Sequence, residues 1–428
     1  MVGDKRNEIL AGIIGFAAVI PLCFASLHLF RLITNDAEMI FLGICLSAGI
    51  FTIVASLFSR APVIFAPNLG LIALLVYSIY GGTGQSLTQA LSMFALSGVI
   101  IFILGLTRVG EGVQACVPES LYAGITSSVG FLLIATGLRE GGLVTTHPVT
   151  LITLGDLVTR SPVITLCGVG TAVFILARGY RHALIWGLTV SLIAAWFLGA
   201  LGQNEDWIGE ALALQSPVQL IDYVWIPETY SFVPSVILVT LVETTAVLLC
   251  LLGIMQRQFS EWKVRARRLW MITGIAGILS PILGAPGPML SSQGLFSKLA
   301  GGKTWVSGVV AGTLVALAAV LPLPAAIIGD GYHIGNDVWL HPVTAALVLA
   351  GGLLCVESFS RVDWKQLETS IPTLVMCCVT GLSFSIVNGF GLGVLTYILI
   401  QVSRGEIRSL LPLILYISPL LVMRLLLL

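Results

Sequence analysis

The chain has 428 residues, of which 57% are hydrophobic and 10% charged, with a mean hydropathy of +1.01. Soluble globular domains carry roughly 25% charged residues, so this composition excludes an ordinary soluble fold and marks a polytopic membrane protein. Twenty-one basic and 21 acidic residues balance to zero net charge, which says nothing about partners; no nucleic-acid partner is expected.

In chain order, apolar runs long enough to cross about 30 Å of hydrocarbon fall at 8–30, 37–58, 86–106, 119–138, 162–178, 182–201, 231–255, 304–321, 342–358, 368–387 and 388–403. Shorter runs at 67–80, 270–283 and 288–297 read as half-length or re-entrant segments, which makes fourteen segments in all. The final stretch, 410–428, is apolar but interrupted by Pro412, Pro419 and Arg424, and is expected to lie along the membrane or on the outside of the bundle. MVGDKRNEIL leads into the first run without a small-residue cleavage site, so no cleaved leader is expected there. The eight cysteines sit mostly within apolar runs without metal-ligand spacing and read as packing residues.

With the N-terminus inside, the inner connections hold Arg60, Arg108, Arg178, Arg181, Arg257, Lys263, Arg265, Arg267, Arg268, Lys298, Lys303, Arg361, Lys365, Arg404 and Arg408. The outer ones hold Arg31, Arg139 and Arg160, and the outer loop 202–230 has Glu205, Asp206, Glu210, Asp222 and Glu228 without a basic residue. This bias fits the positive-inside rule and predicts both termini on the cytoplasmic side of a cytoplasmic (inner) membrane.

Two strings are nearly the same. Pro62-Val63-Ile64-Phe65-Ala66-Pro67 is matched by Pro281-Ile282-Leu283-Gly284-Ala285-Pro286, with Pro62 and Pro281, Ala66 and Ala285, and Pro67 and Pro286 each 219 positions apart. Prolines at this spacing cannot continue a helix. A broken segment at the same place in both halves predicts two repeats of seven segments with opposite orientation, and a ligand site where the breaks meet.

The candidate site residues follow from that geometry. Glu243 lies in Thr240-Leu241-Val242-Glu243-Thr244, near the middle of an apolar span. A charged residue there costs about 2.5–3.5 kcal/mol on insertion scales and is tolerated mainly facing a cavity, a partner or a substrate. Burial favours the neutral carboxyl, so Glu243 is expected to load and release a proton near neutral pH; the structural alternative is a hydrogen bond to Thr240 or a neighbouring helix. Gln293, in the second short segment, offers a donor and an acceptor suited to the edge of a heterocyclic base. Its alternative is to satisfy broken backbone. Asn68, Leu69 and Gly70 open the first short segment and are expected to face Gly287, Pro288 and Met289 by pseudo-symmetry, with backbone groups as ligands; Asn68 alternatively caps its helix. His28 and Glu357 read as interfacial, Glu119 as a partner of a helix N-terminus, Asp156 and Asp330 as loop residues, and Asn388-Gly389 as a hinge or an interhelical contact. No nucleotide-binding or hydrolase motif is present, and no catalytic residue, cofactor or metal site is expected.

Several motifs together resemble the nucleobase–cation symporter superfamily of the xanthine/uracil permease type, and within it the adenine/guanine/hypoxanthine branch. They are Glu8-Ile9-Leu10-Ala11-Gly12, Ala66-Pro67-Asn68-Leu69-Gly70-Leu71, Pro118-Glu119-Ser120-Leu121 through Gly137-Leu138, Thr150–Leu157, Asp363-Trp364, and Ser383-Phe384-Ser385-Ile386-Val387-Asn388-Gly389 through Gly393. The resemblance implies an all-α membrane fold of fourteen segments in two inverted sevens, with half-helices at segments 3 and 10. It implies a core domain at 1–106 and 231–321, and a gate domain at 107–201 and 322–428 that includes the C-terminal tail. It further implies a purine base held between segments 3, 8 and 10, proton-coupled uptake, and a homodimer through the gate domain. The branch's segment-8 acid falls on Glu243 and its segment-10 glutamate on Gln293. The branch's first segment-8 aspartate is Thr240 here, its segment-10 acid is the neutral Gln293, and its first-break glycine is Asn68. A uniporter, a carrier of anions or other small heterocycles, and a ligand-binding membrane receptor are the other readings that this architecture allows.

Overall fold

The computed structural model describes residues 5–80, 87–107, 117–180, 182–201, 233–255, 259–329, 331–334 and 338–405. The expected outer loop 202–230, the tail 410–428, and Arg108, Cys116, Arg181, Arg257, Asp330 and Arg408 lie outside these residues. The helices in chain order are α1 (Lys5–Arg31), α2 (Ala37–Ser59), α3 (Leu69–Ala73, continued by a π-helical stretch Leu74–Tyr80), α4 (Leu87–Leu106), α5 (Tyr122–Glu140), α6 (Arg160–Ala177), α7 (Ala183–Phe197), α8 (Val233–Met255), α9 (Phe259–Leu279), α10 (Phe296–Leu299), α11 (Trp305–Val320), α12 (Pro322–Gly329), α13 (Pro342–Val356), α14 (Leu367–Ser383) and α15 (Ile386–Ser403). Single turns of 3-10 helix at Glu119–Leu121, Ser280–Leu283, Gln293–Leu295 and Glu357–Arg361 lead into or out of them.

Among the described residues, eight helical stretches are long and apolar enough to cross a membrane, and α7, α11 and α14 are shorter apolar helices. Large apolar side chains such as Phe58, Ile103, Phe174, Trp186 and Leu399 remain exposed on their outer faces, as expected where the surrounding solvent is hydrocarbon. The chain is an integral membrane protein. The short apolar run at 270–283 is the C-terminal part of a longer helix: α9 spans Phe259–Leu279, 21 residues, and is not one of the helices long and apolar enough to cross a membrane. Its first half carries Lys263, Arg265, Arg267 and Arg268, which hide it from an apolar-run reading. The run at 368–387 ends four residues early, where Phe384 takes a left-handed conformation with φ 50° and Ser385 caps α15 by accepting a hydrogen bond from Asn388 N at 3.3 Å. Two hairpins, 144–147 with 151–154 and 332–334 with 338–340, add antiparallel pairs that the apolar pattern did not reveal.

The described residues divide into two compact units, one drawn from Met1–Leu69, Leu133–Pro217 and Gln293–Gly352, the other from Gly70–Leu132, Val218–Ser292 and Leu353–Leu428. In the first, α2 packs along α11, α1 packs on both, and α6 pairs with α7. In the second, α4 packs along α9, α8 packs on α4 and α15, and α14 pairs with α15. Each unit has a glycine crossing at its tightest helix pair. A Cβ on Gly49 of α2 would lie 2.6 Å from the Gly312 carbonyl oxygen of α11, and one on Gly98 of α4 would lie 2.6 Å from the Gly277 carbonyl carbon of α9. Lipid tails are as apolar as leucine, so helix association in a bilayer relies on such close backbone approach. In the second unit, Ile101 of α4, Leu241 of α8 and Trp270 of α9 form a buried cluster between these helices.

Candidate functional site

The first break is held by the helix before it. Arg60 ends α2 in the left-handed region with φ 54°, and the chain turns out at Ala61-Pro62. The extended residues that follow have no helix to satisfy their backbone, and hydroxyls of α2 replace it. Thr52 Oγ1 accepts from Phe65 N at 2.8 Å and donates to Phe65 O at 3.2 Å; Ser56 Oγ donates to Val63 O at 2.8 Å. Ile64, Phe65 and Ala66 are fully buried. Asn68 and Leu69 come next, half-buried, at the start of α3.

The second break follows α9. Gly284 takes φ 72° at the end of the 280–283 turn, and the chain then runs extended through Met289–Leu290 before Gln293 opens the turn into α10. Within the first unit this turn packs on the first break. A Cβ on Gly294 would lie 2.7 Å from Ile64 O, and Gly15 of α1 abuts Ile64 while leaving only 3.1 Å between its notional Cβ and Ser297 Cβ. Gln293, half-buried, is thus brought beside the segment that carries Asn68 and Leu69.

Within the second unit, α8 packs on the extended pair Met289–Leu290 and on α9. The structure therefore places the helix of Glu243 against the segment of Pro288 and Met289. Glu243 is half-buried, while Pro288 and Met289 are buried. Gly287 lies against α9, where a Cβ would meet the Gly277 Cα at 2.6 Å, and Gly277 in turn stands close to Gly98 of α4. Thr240, one turn before Glu243, donates to Val236 O at 2.8 Å within its own helix. Gly70 is exposed and belongs to this unit.

The remaining residues fall into structural positions. Glu119 opens the turn before α5 after Pro118. Asp156 accepts from Val158 N at 3.1 Å in the turn before α6. Glu357 is exposed. Gly389 lies where a Cβ would come within 2.8 Å of Met376 O, so Asn388-Gly389 forms the close start of the α14–α15 contact. Among the described residues no cluster of His, Cys, Asp or Glu suited to a metal ion occurs. Sequence reasoning did not single out Thr52 and Ser56, although their spacing of four, on one face of α2 ahead of Pro62, is a readable signal.

A model of the permease family (Xan_ur_permease) matches residues 9–368. The chain belongs to this family. It is therefore a transporter by descent and not an enzyme. Adenine permease AdeP of Escherichia coli (strain K12) is 24% identical over 425 residues, covering 98% of this chain and 92% of its own. Guanine/hypoxanthine permease PbuO of Bacillus subtilis (strain 168) is 23% identical over 417 residues, covering 96% and 94%. Among solved structures, the murine anion transporter Slc26a9 in its inward-facing state is similar in fold, with a TM-score of 0.55 and 13% identity over 94% of this chain and 69% of that one.

Proposed function

We propose that this permease imports a purine base by proton symport, with Glu243 as the group that binds both base and proton. The observation that carries the reading is an acid near the middle of a 23-residue apolar helix that packs on the second proline break. Curated relatives named as adenine and guanine/hypoxanthine permeases, matched along nearly their whole length, support the substrate class. Glu243 accepts a hydrogen bond from the ring and holds the coupling proton. Gln293 reads the other edge with its amide, and backbone groups at 68–70 and 287–289 complete the pocket. The core segments rock past the gate segments to alternate access, both termini face the cytoplasm of an inner-membrane protein, and a pair of chains associates through the gate.

Uptake of labelled adenine, guanine and hypoxanthine into proteoliposomes, with and without an imposed inward proton gradient, tests this. Accumulation above equilibrium is expected with the gradient and only equilibration without it. The neutral Gln293, where the resembling branch carries a second acid, favours one alternative: a uniporter, which would equilibrate the base identically in both conditions.

A further inference from the structure

Glu8 lies in the first turn of α1 and is 4% exposed, although Lys5, Arg6 and Ile9 beside it are exposed. A buried carboxylate requires donors, and these come from across the first unit. Glu8 Oε1 accepts from Lys303 N at 2.9 Å and from Thr304 N at 3.2 Å, and Oε2 lies 3.4 Å from Thr304 N. Lys303 and Thr304 immediately precede α11, whose first amides have no partners within the helix and carry the positive end of its dipole. Thr304 caps the same terminus by accepting from Val306 N at 3.3 Å.

The contact continues along one face of α1. Glu8, Ala11, Gly12 and Gly15 recur at helical spacing. A Cβ on Gly302 would lie 3.2 Å from Ala11 Cβ and 2.6 Å from Ser297 O; one on Gly12 would lie 2.7 Å from Ser307 O; Gly15 abuts Ile64 of the first break. The piece from Gln293 to Thr304 is internally bonded, with Ala300 N donating to Phe296 O at 2.8 Å and Gly302 N to Ser297 O at 2.9 Å. It has Gln293 at one end and the Glu8 contact at the other.

We propose that Glu8 is a positioning residue for substrate recognition: its carboxylate fixes the far end of the Gln293 segment against α1 and so sets where the Gln293 amide stands relative to the first break. The inference rests on Gln293 as a base-reading side chain. Two variants separate shape from charge. Glu8→Gln keeps an acceptor oxygen for Lys303 N, and Glu8→Ala removes it.

Hydrogen exchange of the purified full chain is followed together with adenine uptake. In Glu8→Ala, amide exchange is expected to rise about tenfold or more at Lys303 and Thr304 and also through 293–300, the equivalent of losing a net 1.4 kcal/mol of hydrogen bonding. KM is expected to rise with maximal rate largely retained, and Glu8→Gln to restore both. Faster exchange confined to 303–304, or an unchanged KM in Glu8→Ala, overturns the proposal. If wild type takes up no purine, the substrate reading falls, and the exchange pattern through 293–300 alone decides whether Glu8 positions that segment. If Glu8→Ala does not yield folded protein, Glu8→Gln against Glu8→Leu at the same readouts carries the test.

Discussion

Replacing Thr52 by valine keeps the shape of the side chain and deletes the hydroxyl that both accepts from Phe65 N and donates to Phe65 O. Both residues are fully buried, so water cannot take over. A buried backbone group that loses its partner costs about 1–3 kcal/mol. With the longer carbonyl contact at the lower end of that range, the two together amount to about 2–4 kcal/mol, or roughly 30- to 1,000-fold in the folding equilibrium. Ser56→Ala removes one hydrogen bond, to the buried Val63 O, and should cost about 1–3 kcal/mol. The two variants act on one segment, so the double variant should cost less than their sum. Equilibrium unfolding in mixed micelles measures all three. A Thr52→Val midpoint equal to wild type, or a larger loss from Ser56→Ala, would refute the argument that α2 hydroxyls hold the first break.

Gly98→Ala forces a methyl group against the Gly277 backbone, which cannot rotate away, and should cost about 3 kcal/mol or more; Gly170→Ala, with open space around it, should fold like wild type, and size-exclusion profiles of the two distinguish them. Trp270 is fully buried with an indole N–H that has no partner among the described residues. Trp270→Phe should therefore lie within about 1 kcal/mol of wild type, because the small cavity is offset by removing an unsatisfied donor, whereas Trp270→Ala should cost about 3–5 kcal/mol; unfolding midpoints check both.

Most of the fold's long helices were legible as apolar runs: 37–58 became Ala37–Ser59 and 231–255 became Val233–Met255. The signal failed where a helix leaves the apolar layer, as at the basic start of α9, and where backbone pairs locally, as in the 144–154 hairpin, whose Thr145, Thr146 and Thr153 are strand-favouring residues lying outside any apolar run. The prolines announced both breaks, since an interior proline forfeits a helical hydrogen bond wherever it occurs. What replaces those bonds was not legible. Thr52, Ser56 and Glu8 are ordinary residues in the sequence, and only tertiary folding shows which backbone groups they satisfy. The glycine crossings have the same character, because a glycine's partner more than 150 positions away leaves no local trace.

Glu243 is the group on which the proposed proton coupling rests. Reconstituted Glu243→Gln and wild-type protein are compared for base accumulation under an imposed proton gradient and for base-for-base exchange without one. Glu243→Gln is expected to lose accumulation driven by the gradient, because a carboxamide does not take up and release a proton near neutral pH. Wild-type accumulation with the wild-type pH dependence in that variant would contradict it.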